Sequence, residues 1–125
     1  MMNKTTIMQT QLSDVTTKGV YPPLERKDAS FSDPAFSRNK TLPIHRWVPW
    51  IAGFSSDFVS DVIRKYAPNH NSTVLDPFAG VGTTLLEAKL HDHNSIGFEI
   101  NPYAVFACRV KLNSDRIFVA DLLNE

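Results

Sequence analysis

The sequence predicts an α/β fold: three parallel strands with helices on both faces, behind an irregular N-terminal arm. Three observations lead there. Short β-branched runs alternate with helical stretches over residues 73–121, a glycine-bearing turn follows the first of them, and each predicted strand ends in an acid, Asp76, Glu99 or Asp121. Alternation at this spacing implies right-handed crossovers between parallel strands. Ligands of such sheets bind where the strands end at their carboxyl sides.

The elements follow in order. Residues 1–43 carry Pro22, Pro23, Pro34 and Pro43 and no sustained apolar period, so they read as an irregular arm, either a tail or a strip laid on another surface. Residues 44–125 form the second region. Phe54, Phe58, Val59, Val62, Ile63 and Tyr66 fall at helical spacing, with Ser55 or Ser56 as cap and Pro68 as stop. Thr73–Leu75 reads as a buried strand running into Asp76, and a helix spans Thr83 to about Leu90. Ser95–Glu99 is the second strand. Asn101 caps a further helix with Pro102 in its first turn and Tyr103, Phe106, Ala107 and Val110 on one face. Arg116–Ala120 is the third strand. Cys108 reads as a small core residue, and His91 and His93 as solvated loop residues.

Composition bounds the function. Thirteen basic and thirteen acidic side chains cancel, which removes the basic footprint of a self-sufficient nucleic-acid binder. The halves differ: residues 1–50 hold seven basic and four acidic side chains, residues 51–125 six and nine. One cysteine excludes a disulfide framework and a Cys-rich zinc site, and no metal site is expected. No apolar run nears the ~20 residues of a membrane span, and no signal-peptide pattern opens the chain, so a cytoplasmic location is expected.

The turn Asp76-Pro77-Phe78-Ala79-Gly80-Val81-Gly82-Thr83-Thr84 carries the chemistry. Gly80 and Gly82 allow close backbone approach, and the N–H groups opening the next helix suit an anion. A dinucleotide fingerprint would put a third glycine where Leu85 stands, and a pyrophosphate beside Asp76 would be repelled. S-adenosylmethionine, with a carboxylate, an ammonium and a sulfonium, suits the same charges. Glu99 can accept hydrogen bonds from both ribose hydroxyls. Asp121 can accept the adenine amino hydrogen, and reads equally as a turn residue. Phe98, Ile100 and Pro102 can wall the adenine.

The same residues resemble a known family. Asp76–Thr84, followed by Gly97-Phe98-Glu99-Ile100-Asn101-Pro102, is similar to the cofactor motifs of DNA amino-methyltransferases, whose first motif usually reads D-P-F-x-G-S-G-T-T; Val81 departs from it. His45–Ser55 resembles the segment that closes over the methionine end of the cofactor, although plain packing explains Trp47 and Trp50 as well. The resemblance covers roughly residues 43–123. It implies a partial Rossmann-like class I methyltransferase fold and S-adenosylmethionine as cofactor. The cofactor residues it implies are Asp76, Pro77, Phe78, Ala79, Gly80, Gly82, Thr83, Glu99, Ile100, Asn101 and Asp121. It also implies methylation of adenine N6 or cytosine N4 in DNA.

In the family a D/N/S-P-P-aromatic motif binds the target amine, and no such tetrapeptide occurs here. Tyr21-Pro22-Pro23-Leu24 has the prolines alone. No catalytic residue is therefore assigned. The chain reads as the cofactor-binding half of the enzyme, either cut short or complemented by a partner subunit, with DNA held by parts outside it. A first strand left as an open edge makes the isolated chain marginally stable. The rival readings are an RNA or small-molecule methyltransferase of the same fold, and a catalytically silent cofactor-binding or scaffold module.

Overall fold

The computed structural model describes residues 6–10 and 30–116. Its regular elements are β1 (Thr6–Thr10), α1 (Ser56–Tyr66), β2 (Thr73–Asp76), α2 (Thr83–Leu90), β3 (Asn94–Glu99) and α3 (Pro102–Leu112). Short 3-10 turns occur at Phe36–Lys40, His45–Trp47 and Ser114–Arg116. The helix ends follow local chemistry. The Ser55 side chain accepts from the Phe58 N–H to open α1, and Asn101 accepts from Tyr103 and Ala104 to open α3, with Pro102 in its first turn.

The sheet runs β1-β3-β2. β2 and β3 are parallel, with Leu75 opposite Ile96 and Asp76 opposite Gly97, so the βαβ core matches the sequence reading. The third strand of the sheet differs from expectation. β1 pairs antiparallel with β3, Thr6 opposite Glu99, and lies inside the arm that the sequence predicts to be irregular throughout. The expected parallel strand Arg116–Ala120 is not described: Arg116 ends a 3-10 turn, and residues 117–120 and Asp121 lie outside the described residues. Among the described residues, β2 pairs with β3 alone, so its other edge is open.

Helices on both faces were expected; the described helices form one layer. Val59 and Ile63 of α1 pack with Ala88 of α2 and with Val74 of β2. Leu85 and Leu86 of α2 pack with Val105, Cys108 and Leu112 of α3. Gly97 of β3 faces this layer, since a Cβ there would lie 2.8 Å from Leu85. Strand side chains alternate between faces, which puts Leu75 on the opposite side, where it is 60% exposed; β2 is therefore covered on one face among the described residues and is not the buried strand the sequence predicts.

Two further expectations are corrected. The buried face of α3 is Ala104, Val105, Ala107, Cys108, Lys111 and Leu112, whereas Tyr103, Phe106 and Val110 point to solvent. The histidines are not solvated either. His93 is buried, and His91 Nε2 lies 2.6 Å from Ser60 Oγ and near Glu87; burial lowers the pKa of both. Cys108 is a core residue, fully buried as expected.

Candidate functional site

The turn after β2 is shaped by its own polar groups. Asp76 Oδ1 accepts from the Phe78 N–H at 2.9 Å, and Gly82 N–H donates to the Ala79 carbonyl at 2.8 Å. The Ala79 N–H donates to Phe98 O on β3, which holds the turn at the end of the sheet. Gly80 and Gly82 sit at φ +52° and +82°, the left-handed region in which a side chain is strained. Space adds a second constraint. A Cβ on Gly82 would lie 2.3 Å from Cys108 Sγ, and one on Gly80 would lie 3.0 Å from Trp50 Nε1.

Glu99 ties the two strand ends together. Its Oε2 accepts from the Gly80 N–H at 2.9 Å, and its Oε1 accepts from Ile100 and Asn101 at 2.8 and 2.7 Å. An ionised carboxylate offers about four acceptor sites, so one remains, on Oε2. In this arrangement Glu99 has room for one further donor rather than the two expected of it.

A cavity of about 130 Å³ opens beside the turn. One wall is Asp76, Phe78, Ala79, Gly80, Val81, Thr83 and Thr84; the other is Trp50, Ala52, Gly53 and Phe54, from the segment preceding α1. Asp76 is 7% exposed and brings the cavity a carboxylate. The α2 N-terminus brings the opposite polarity, because Gly82 offers no side chain to cap the first-turn amides. Trp50 and Val48 pack on Val81, Ala104 and Ala107, so Val81 is an apolar seat for that segment.

Of the residues predicted from sequence, Asp76, Phe78, Ala79, Gly80 and Thr83 line this cavity. Glu99 reaches its floor through the Gly80 amide. Pro77 continues the turn without lining the cavity, and Gly82 turns toward Cys108. Ile100 is exposed and Asn101 caps α3, both outside the cavity. Asp121 lies outside the described residues. Sequence reasoning missed Asn39, His45 and Glu87, which are buried and bonded around the far wall. Their partners are too distant in sequence to leave a local signal.

Burial pushes the Cys108 thiol up to about 12, so it stays protonated beneath the turn. Burial also lowers the Lys111 ammonium to about 8, and among the described residues its Nζ has no hydrogen-bond partner. Among the described residues no group of three or more His, Cys, Asp or Glu side chains is arranged to hold a metal ion. No described helix is long and apolar enough to cross a membrane.

With this geometry in place, comparison with known proteins decides the family. The DNA methylase family model of the N6/N4 type matches residues 9–108, which include both walls of the cavity and Glu99. The chain belongs to the N6/N4 DNA methylase family. It is 40% identical over 77 residues to the Type II methyltransferase M.BsoBI of Geobacillus stearothermophilus, covering 62% of this chain and 15% of that protein. It is 35% identical over 68 residues to M.AvaI of Nostoc sp. strain PCC 7120, covering 54% of this chain and 14% of the relative. The match to M.MjaII of Methanocaldococcus jannaschii is 29% identical over 93 residues, covering 70% and 17%. The chain thus spans about a sixth of the length of the curated methyltransferases it resembles. No solved structure matches it.

Proposed function

We propose that this chain provides the S-adenosylmethionine-binding part of a Type II DNA methyltransferase acting on the exocyclic amine of adenine (N6) or cytosine (N4). The observation that supports this most is the paired polarity of the cavity: a buried carboxylate, Asp76, faces it together with the uncapped N-terminus of α2. A zwitterionic amino-acid end suits both. Asp76 takes the ammonium, and the amides at Thr83 and Thr84 take the carboxylate. Glu99 takes a ribose hydroxyl on its remaining acceptor site. Ile100, Pro77 and Asn101 border the nucleoside, and Asp121 remains the candidate for the adenine amine. When bound, the cofactor supplies an activated methyl group.

The target amine must be held by acceptors this sequence lacks, because no D/N/S-P-P-aromatic stretch occurs in it. DNA is accordingly held by parts outside the chain, and the chain alone transfers no methyl group. Calorimetry tests the reading directly. S-adenosylmethionine binds, while NAD, whose pyrophosphate is repelled by Asp76, gives no heat at the same concentration. Binding of neither ligand at millimolar concentration overturns the proposal and leaves a scaffold. Preference for NAD overturns it as well.

A further inference from the structure

One side of the cavity is formed by Trp50, Ala52, Gly53 and Phe54, a segment that belongs to neither a helix nor a strand. The segment that carries this wall is held at each end by a fully buried polar side chain. At its start His45 Nε2 lies 2.8 Å from Oε1 of Glu87, a buried carboxylate in the middle of α2. At its end Asn39 donates to the Phe54 carbonyl at 2.9 Å and accepts from the Ser56 N–H at 2.8 Å. Between these pins Trp50 lies against Gly80, close enough that a Cβ there would meet its indole nitrogen at 3.0 Å.

Buried polar pairs are a poor way to gain stability, since apolar residues of similar volume do as well or better. What directional bonds provide is a fixed register. A segment seated by apolar contact alone could slide over the turn and α3 at little cost, and a slide would move Trp50 off the cavity. We propose that His45, with Glu87, and Asn39 are positioning residues. They hold the wall against the turn so that the subsite for the amino-acid end of the cofactor is formed before the ligand arrives. The proposal rests on the S-adenosylmethionine reading above. It predicts a loss confined to one end of the ligand, because preorganisation helps only the contacts the wall makes.

The test compares two probes on the full chain: S-adenosylmethionine, and 5′-methylthioadenosine, which has the same nucleoside with a neutral thioether and no amino-acid arm. The double variant His45→Phe/Glu87→Leu removes both polar partners together, which is near neutral for folding. It weakens S-adenosylmethionine about tenfold, leaves methylthioadenosine within twofold, and keeps the melting temperature. Asn39→Asp keeps the acceptor for Ser56 and loses the donor to Phe54; it shows the same asymmetry at about threefold. Equal losses for the two probes, or none, overturn the proposal. Should the double variant not fold, Asn39→Asp decides it by the same ratio, and His45→Gln, which retains a donor toward Glu87, leaves both affinities within twofold of the unmodified chain. If the unmodified chain binds methylthioadenosine and S-adenosylmethionine equally well, the subsite itself is absent. If it binds neither, the cofactor reading has failed rather than the pins.

Discussion

The two walls of the cavity are built in opposite ways. The turn from Asp76 to Thr84 is local: Asp76 bonds Phe78 two residues on, Gly82 bonds Ala79, and the special backbone is taken by glycine. The facing wall is assembled at long range, from His45 to Glu87 across 42 residues and from Asn39 to Phe54 across 15, and it contains Ala52 at φ +60°. The first wall takes its shape from its own residues and is tied to β3 through Phe98 and Glu99. The second is rigid only while its neighbours hold it.

Substitutions can break this contrast, and the largest effect belongs to the local wall. Gly82→Ala puts a methyl group 2.3 Å from Cys108 Sγ at a φ of +82°, against a helix that cannot retreat without losing its packing. A loss of roughly 2–4 kcal/mol is expected from overpacking and strain together, read in denaturant unfolding. A Gly82→Ala/Cys108→Ala double variant recovers part of it, because the contact with Sγ is removed while the strained φ and the 3.1 Å approach to Cβ remain.

Next in size is Glu99→Ala. It removes a charged acceptor from one ribose hydroxyl and frees the Gly80, Ile100 and Asn101 amides. S-adenosylmethionine binding weakens by about 1–3 kcal/mol. Glu99→Gln recovers part of it, since one amide oxygen still accepts. Unchanged affinity in Glu99→Ala removes this residue from the site.

These contrasts explain what the sequence made legible. The helix starts at Ser55 and Asn101, the parallel pair β2–β3 and the glycine turn all depend on residues close together, so their signals survive in a linear reading. β1 does not, because Thr6 pairs with Glu99 and nothing near Thr6 announces a strand. The face that apolar spacing picks out on α3 is the exposed one, apart from Ala107, and the reason is steric. The helix approaches Gly82 so closely that Ala104, Ala107 and Cys108 must face inward, which leaves the bulkier Tyr103, Phe106 and Val110 outside. Apolar periodicity tracks size as well as burial, and here the two diverge. The polar pins at Asn39 and His45 escaped for the same reason as β1.

The smallest expected effect concerns the floor beneath the turn. Lys111 titrates near 8 in the folded chain against 10.5 in a model peptide, so above pH 8 the unfolded chain binds more protons. Stability rises with pH from there. Cys108 opposes it above about pH 9, where the unfolded thiol ionises and the buried one, near 12, does not. Thermal unfolding should show a rise between pH 8 and 9 that flattens above. Lys111→Met abolishes the rise, and Cys108→Ala extends it toward pH 10.5. A flat profile in the unmodified chain contradicts the buried lysine.

The central claim is that the buried carboxylate of Asp76 takes the ammonium of a bound zwitterion. Titration calorimetry of the unmodified chain and of Asp76→Asn with S-adenosylmethionine tests it most directly. The account predicts binding to the first and at least tenfold weaker binding to the second, with the melting temperature of the two proteins within a few degrees. Equal affinity in the two proteins would contradict it.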